Sequence, residues 1–217
     1  MALQGLTAAI IREQLQAAPP RDLAGWRRLR RGWSRALKSQ PPSTVVEVAT
    51  GVLSAGPWGR LTAYELIACH PTAATALTST TVRHLGRGLA DWGTVDAFAC
   101  YVVGPAWRDG RLATREIHRW LQSPDRWRRR AAVVSTVALN VRARGGRGDV
   151  ARTLGVCRRA VADRDDMVIK ALSWALRSLI QWDREAVSGF LKDYDDTVAS
   201  RVKREVRTKL RTGRKSE

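Results

Sequence analysis

Apolar residues recur along the chain at spacings of three and four, which is the pattern of amphipathic helices. Alternating apolar and polar positions, which are typical of strands, are scarce. Proline and glycine separate the apolar segments, for example at Pro41-Pro42 and Gly104-Pro105. The pattern predicts helices over 3–17, 22–38, 43–55, 59–69, 72–90, 92–103, 112–122, 125–143, 148–162, 166–182, 184–193 and 196–211. The chain is therefore expected to be all-α.

The lengths and spacing of the predicted helices favour an α-solenoid. Short helices that pair at intervals of roughly 35–45 residues are typical of HEAT-like repeats. The segments are not clearly similar to one another, so an irregular helical bundle is the alternative. We expect one domain over 1–217, built from paired antiparallel helices with a concave basic face, and a disordered basic tail at 212–217.

The chain carries a large excess of positive charge. Its 217 residues include 38 Lys and Arg against 20 Asp and Glu, a formal net charge of +18. Residues 61–120 are nearly neutral, with 6 basic and 5 acidic side chains, whereas residues 121–180 carry 13 and 5. A folded chain with this charge repels itself, and a polyanion relieves the repulsion. Nucleic acid is therefore the expected partner.

Several other classes of protein are not indicated. Cys69, Cys100 and Cys157 lie far apart and form no cluster with histidines, so neither a zinc site nor a disulfide framework is expected. The sequence has no glycine-rich phosphate-binding signature. It also has no signal-peptide pattern and no apolar run approaching about 18 residues. We expect no metal or cofactor, and a cytoplasmic location in which the protein is associated with the nucleoid when it binds nucleic acid.

One predicted helix, 166–182, places a tryptophan among charges. Its apolar face consists of Val168, Leu172, Ala175, Leu176 and Leu179. The opposite face carries Lys170, Trp174, Arg177 and Gln181. A tryptophan packed under a neighbouring helix is the ordinary interpretation. Because basic residues lie one turn away on both sides, we favour an aromatic that stacks on a ligand, with the basic residues holding phosphates.

The predicted helix 92–103 is apolar on nearly all sides, which indicates burial. Asp96 is its only charged residue after the expected N-cap Asp91, and Trp92 lies one turn before Asp96 on the same face. An unpaired buried carboxylate is costly, so Asp96 must be paired or must have a function. Pairing with an arginine of another helix, or interaction with the helix dipole, is the alternative to a functional role.

Basic residues cluster where the predicted helix 125–143 begins. The cluster consists of Arg128, Arg129 and Arg130. Positive charge at a helix N-terminus opposes the helix dipole, and an anionic partner such as phosphate would explain it. The last predicted helix, 196–211, turns Val198, Val202 and Val206 inward and has Arg207 among its basic residues. Together with the basic tail that follows it, this helix is expected at most to bind a nucleic-acid backbone without sequence preference.

Three segments resemble the AlkD-like DNA alkylation repair family, whose members are DNA glycosylases built from HEAT-like repeats. Residues 91–96 (DWGTVD) resemble its W-x-x-V-D catalytic element, and residues 123–132 (SPDRWRRRAA) are similar to its S-x-x-x-W-x-x-R-A-A segment. Residues 170–177 (KALSWALR) are similar to its K-A-x-x-W-x-L-R segment, and residues 204–210 (REVRTKL) to its closing helix. The likeness covers about residues 90–212, in the order of the family.

The resemblance implies that Trp92, Asp96 and Trp174 form a catalytic trio. It also implies that DNA is contacted by Arg130, Arg177 and Lys170, to which the basic clusters add Arg128 and Arg207. Gly93 stands where the family commonly has an acidic or polar residue, and the first ninety residues lack the family's G-x-x-x-P-x-x-R motif.

The activity implied is that of a monofunctional glycosylase in base excision repair, acting as a monomer on duplex DNA with N3- or N7-alkylated purines. Such a base is cationic, so it leaves without being protonated and one carboxylate can suffice. Asp96 would stabilise the oxocarbenium-like sugar and position water, while the tryptophans would contact the cationic nucleotide. The main alternative is a non-catalytic HEAT-like protein that recognises bent, damaged or branched DNA by shape. A helical protein-interaction scaffold is a third possibility.

Overall fold

The computed structural model describes residues 5–17 and 22–214, and every regular element within these ranges is helical. The α-helices are α1 (Ala8–Ala17), α2 (Leu23–Leu37), α3 (Pro42–Gly51), α4 (Gly56–Cys69), α5 (Ser79–Leu85), α6 (Trp92–Phe98), α7 (Gly104–Arg108), α8 (Thr114–Leu121), α9 (Arg126–Asn140), α10 (Val150–Ala160), α11 (Asp166–Leu179), α12 (Arg184–Asp193) and α13 (Ser200–Thr212). Short 3-10 helices occupy Ala73–Ala76 and Arg142–Arg144, and a π-helical turn occupies Ala99–Val103. The predicted all-α class is confirmed, and the succession of short helices is compatible with an α-solenoid.

The chain divides into two compact units, one ending at Gly88 and the other beginning at Leu89. Compact units also occur within a continuous repeat array, so a single domain over 1–217 stays a prediction. The predicted tail, 212–217, starts at the last residue of α13, and its residues 215–217 lie outside the described ranges. None of the described helices is long and apolar enough to cross a membrane.

In the first unit, α1–α5 pack around large aromatic residues whose polar ends are bonded. Trp26 is buried and donates from Nε1 to Thr62 Oγ1 at 3.0 Å, and Tyr64 donates its hydroxyl to the carbonyl of Leu85 at 2.8 Å. The single helix predicted over 72–90 is wrong. The chain instead forms the short 3-10 helix Ala73–Ala76 and then α5. Thr78 separates them, because its backbone is extended and its side chain caps the start of α5.

The second unit is built around α9, in which every residue from Arg130 to Asn140 is buried. The helix that begins at Trp92 passes very close to α9 at Gly104. A Cβ placed on this glycine would lie only 2.4 Å from Ala138 Cβ. The predicted end of that helix at residue 103 is wrong. The helix continues through Pro105 to Arg108, because the π-helical turn changes the hydrogen-bond register just before a residue that has no N–H.

Aspartate begins many of the helices, since its side chain accepts a hydrogen bond from a backbone N–H of the first turn. These N-caps are Asp22, Asp91, Asp125, Asp149, Asp165 and Asp183. The predicted cap Asp91 is confirmed, with Oδ1 2.9 Å from the N of Thr94. A carboxylate at this position also interacts favourably with the helix dipole. Three of the caps begin α6, α9 and α11, the helices that carry most of the predicted site residues.

Candidate active site

Side chains from the second unit line a cavity of about 500 Å³. The lining residues are Trp92, Asp96, Arg130, Met167, Lys170, Trp174, Arg177, Arg201 and Glu205. Six of the eight residues predicted for the site therefore meet in one place, although they come from three different helices. The structure does not place Arg128 or Arg207 among the lining residues.

Trp92 is the first residue of α6 and is 62% exposed. The cap formed by Asp91 fixes the start of the helix and therefore the direction in which this indole leaves the backbone. A tryptophan normally buries a large apolar area, so an indole left in water at the edge of a cavity is typical of a binding surface.

Asp96 lies one turn further along α6, and both of its carboxylate oxygens are bonded to Arg130. Arg130 donates from Nε to Oδ1 at 2.9 Å and from Nη2 to Oδ2 at 2.8 Å. The two side chains are only 16% and 7% exposed. Burial raises the pKa of Asp96 above its ordinary value, although Arg130 and Arg144 act in the opposite direction. The carboxylate is therefore both paired, as the alternative interpretation expected, and part of the cavity wall.

Arg130 is held from three sides by the protein. In addition to its two bonds to Asp96, its Nη1 donates to the carbonyl of Met167 at 2.5 Å. This residue was expected to contact DNA, but the structure shows it binding and orienting the Asp96 carboxylate. A contact between Arg130 and DNA stays a prediction. The sequence could not reveal the pairing, since Asp96 and Arg130 are 34 positions apart.

The predicted faces of α11 are confirmed. Val168, Leu172, Ala175, Leu176 and Leu179 are all buried. On the other face, Trp174 is half-buried and reaches the cavity, and Lys170 forms an ion pair with Asp166 at 2.5 Å. Arg177 is mostly buried, donating to Ser173 Oγ at 3.1 Å and lying 3.6 Å from Glu205. Burial lowers the pKa of Arg177, and Glu205 acts against that change.

Glu205 and Arg201 of α13 belong to the cavity but were not predicted from the sequence. Glu205 accepts hydrogen bonds from Ser173 Oγ at 2.7 Å and from Arg201 Nε at 3.0 Å. Burial alone would raise the pKa of Glu205, but the bonds from Ser173 and Arg201 hold it below its ordinary value. The spacing of four between Arg201 and Glu205 was the available signal, and it indicated only a surface pair.

The charge of the cavity is positive overall, but the lining includes two carboxylates in different electrostatic environments. Its four basic side chains are Arg130, Lys170, Arg177 and Arg201, and its two acidic ones are Asp96 and Glu205. The surroundings push the pKa values of the two acids in opposite directions, up for Asp96 and down for Glu205. Titratable groups with perturbed pKa values are concentrated at functional sites. The excess of basic groups suits a phosphate backbone.

The two predicted DNA-contacting residues outside the cavity lie on exposed helix faces. The side chain of Arg128 is 50% exposed and 4.0 Å from Asp125. That of Arg207 is 60% exposed and donates to Asp195 at 2.7 Å. Arg129, between Arg128 and Arg130, is instead mostly buried and bonded to Asp163 at 2.7 Å. Part of the positive charge at the start of α9 is thus neutralised by aspartates of the protein itself.

Among the described residues, no group of three or more His, Cys, Asp or Glu side chains could hold a metal ion. All three cysteines are free thiols. Cys100 and Cys157 are buried, and burial raises the pKa of each to about 12. Neither of these two thiols is therefore a nucleophile at neutral pH.

Comparison with known proteins adds one match. A family model for DNA alkylation repair enzymes matches residues 26–214 of the chain, a span that includes all eight residues predicted for the site. Neither a curated protein nor a solved structure matches the chain significantly.

Proposed function

The chain belongs to the DNA alkylation repair enzyme family, and from this premise we propose that it is a monofunctional DNA glycosylase. Its substrates are N3- or N7-alkylated purines in duplex DNA. The observation that supports this activity is the meeting of Trp92, Asp96 and Trp174 in one cavity of about 500 Å³. Two aromatic rings beside a carboxylate suit a cationic nucleotide.

The reaction breaks the bond between C1′ of the sugar and a purine nitrogen. The bonding electrons move to the base, which was cationic and becomes neutral, so no acid is needed to protonate it. Positive charge then develops on the sugar, and water adds to C1′ with loss of a proton. One carboxylate near the sugar is sufficient to stabilise that charge, where ordinary glycosidases use two.

Asp96 suits this role because its ionised form is only partly stabilised by the protein. Its pKa stays above the ordinary value despite the two bonds from Arg130. Burial deprives the ionised carboxylate of stabilisation by water. Positive charge on the sugar would stabilise the carboxylate instead, and it would do so mainly in the transition state, where that charge develops. The bonds from Arg130 fix both oxygens, so the carboxylate is already oriented before the substrate binds.

Trp92 and Trp174 would contact the alkylated nucleotide through their π faces. Lys170, Arg177 and Arg201 would attract the flanking phosphates, since all three line the same cavity. Phosphate contacts of this kind make affinity depend on salt, with a slope of about −0.9 in log affinity against log salt for each contact. Tight binding without such a slope would contradict a role on DNA and favour a protein-interaction scaffold.

The direct test is the release of free base from duplex DNA under single-turnover conditions. DNA with N7-methylguanine should lose the base faster than it does spontaneously, and the spontaneous rate is subtracted because such lesions depurinate unaided. DNA with hypoxanthine, which is neutral and must be protonated to leave, should not be processed. If N7-methylguanine and N3-methyladenine are both retained while DNA binds tightly, the protein is a non-catalytic DNA-binding member of the family.

A further inference from the structure

Arg144 contacts Trp174 but does not line the cavity. It ends the short helix Arg142–Arg144, and its carbonyl accepts a hydrogen bond from Arg108 Nη1 at 2.8 Å. Gly145 follows in the left-handed conformation, with φ of 75°, which turns the chain back toward α9. The backbone at Arg144 is therefore fixed on both sides, and its side chain leaves from a defined point.

The guanidinium of Arg144 lies between two aromatic rings. It is 5.3 Å from the ring centroid of Tyr101 and 5.7 Å from that of Trp174. Tyr101 belongs to the π-helical turn that continues α6, the helix of Trp92 and Asp96, whereas Trp174 belongs to α11. One cation thus connects the two helices that carry the proposed catalytic trio.

The electrostatic setting of Arg144 is unusual. Its Nη1 is buried, and no hydrogen-bond partner for this atom is found in the described part of the chain. Cys100 interacts with the side chain of Arg144, but it offers no counter-charge, because burial raises the pKa of its thiol to about 12. Its positive charge is compensated by the two π faces and by the negative charge of Asp96, whose ionised form Arg144 favours. A half-buried guanidinium with a buried Nη1 that lacks a hydrogen-bond partner among the described residues calls for an explanation beyond stability.

We infer that Arg144 is a positioning residue for the glycosylase reaction. Its guanidinium holds the indole of Trp174 at the cavity wall and keeps a second positive charge, after that of Arg130, near the Asp96 carboxylate. The inference rests on the proposed function, since it explains how one member of the trio is held in place. A displacement of about 1 Å in a group that orients the substrate can cost about a hundredfold in rate.

The charged groups around Asp96 decide how the reaction depends on pH. Arg130 on α9 and Arg144 after α9 favour the ionised form, whereas Asp91 at the start of α6 disfavours it. The other charged residues that line the cavity are Lys170, Arg177, Arg201 and Glu205. Removing the charge of Arg144 raises the pKa of Asp96, so the carboxylate becomes protonated at a higher pH. The acid limb of the pH–rate profile, where the rate falls as Asp96 becomes protonated, must then move to higher pH.

The test compares Arg144→Met and Arg144→Lys with the intact protein in single-turnover release of N7-methylguanine at several pH values. Arg144→Met should lower the rate about ten- to a hundredfold and move the acid limb to higher pH. Arg144→Lys keeps the charge and can still lie over the rings, so it should restore the acid limb and part of the rate. Affinity for undamaged duplex should stay unchanged in both variants.

Arg142→Met is the matched control. Arg142 lies on the same short helix and its guanidinium stacks on Trp182 at 4.9 Å, away from the residues that line the cavity. Its replacement should leave the rate and the acid limb unchanged. Thermal unfolding shows whether each variant is folded, and Arg144→Gln replaces Arg144→Met if the latter does not fold.

Three results overturn the inference. The first is a folded, neutral Arg144 variant with the rate and acid limb of the intact protein, and the second is an equal loss in Arg142→Met. Both leave the proposed function standing if the intact protein releases the base. The third is the absence of release by the intact protein, which refutes the proposed function and this inference together.

Discussion

Replacing Asp96 by asparagine separates the charge of this side chain from its shape. The amide is nearly isosteric with the carboxylate and keeps one oxygen that can accept a hydrogen bond from Arg130. It loses the second of the two bonds, which measure 2.9 and 2.8 Å, and it loses the negative charge. Arg130 keeps its bond to the carbonyl of Met167. The substitution therefore tests the charge while leaving most of the local packing intact.

The loss of stability should be modest. Breaking a buried ion pair by removing one partner costs about 3–5 kcal/mol. Here one bond survives, and a carboxylate whose pKa is raised by burial is removed, so about 1–2 kcal/mol is expected. For a chain of this length that corresponds to a fall in Tm of about 2–8 °C. The variant should therefore be folded at the assay temperature.

The loss of activity should be much larger. Removing a single group that stabilises charge in a transition state lowers rates by about 10²–10³-fold, or about 2.7–4 kcal/mol in activation free energy. The assay is single-turnover release of N7-methylguanine with enzyme in excess, after subtraction of the spontaneous rate. Affinity for the same duplex is measured separately, by titration, and should change little because the basic residues of the cavity are untouched.

Asp91→Asn is the control for this experiment. Asp91 precedes Asp96 by five positions and caps α6, and asparagine is an equally good cap. The control removes one negative charge from the same helix without touching the cavity lining, and it favours the ionised form of Asp96, so above the acid limb its rate should match that of the intact protein. A folded Asp96→Asn protein that releases the base as fast as the intact protein, at saturating enzyme, would refute the mechanism.

Three further substitutions, two of them with a matched control substitution, test the site and the core. Trp174→Ala should weaken binding to lesion-containing DNA and lower the rate of base release. Trp127→Ala, outside the cavity, should alter neither quantity. Equal losses in the two variants would exclude a role for Trp174 in contacting the substrate. Glu205 has a lowered pKa in the folded protein, so its ionised form stabilises the fold above the ordinary pKa of glutamate, and this contribution is lost as the pH falls. Glu205→Gln should therefore lower Tm at neutral pH and much less at acid pH. The same fall in Tm at both pH values would contradict this. Gly104→Ala should destabilise the protein by about 1–3 kcal/mol in denaturant unfolding, because its Cβ would meet the backbone of α9 at 2.7 Å. Gly155→Ala, with open space around it on α10, should instead stabilise by about 0.5–1 kcal/mol.

Local patterns were sufficient to predict the parts of the site that lie on one helix. The periodicity around Trp174 gave the buried and cavity-facing sides of α11, and the position of Asp91 gave the start of α6. Both follow from residues within a few turns of each other, so backbone geometry alone determines them. The break at Thr78 was missed because apolar spacing continues across it, and only the capping side chain distinguishes two short helices from one long helix.

Contacts between distant segments could not be predicted in the same way. Glu205 joins the cavity because α13 packs against α11, where it meets Ser173, 32 positions earlier in the chain. Nothing in the spacing of α13 distinguishes this glutamate from a solvated one. The resemblance to a known family indicated that Trp92, Asp96 and Trp174 belong to one site, but it carried no information on which side chains hold them.

The arginines at the start of α9 show why the sequence alone could not distinguish arginines that form ion pairs within the fold from arginines that are free to bind DNA. Arg128, Arg129 and Arg130 are consecutive, so the sequence suggests one role for all three. Consecutive residues on a helix point in directions about 100° apart, and here they differ completely in environment: Arg130 is bonded to Asp96, Arg129 to Asp163, and Arg128 is half exposed. Two of the three charges are thus largely neutralised inside the protein. The charge available to DNA is therefore smaller than the net charge of the chain suggests, and it lies on exposed helix faces and in the cavity.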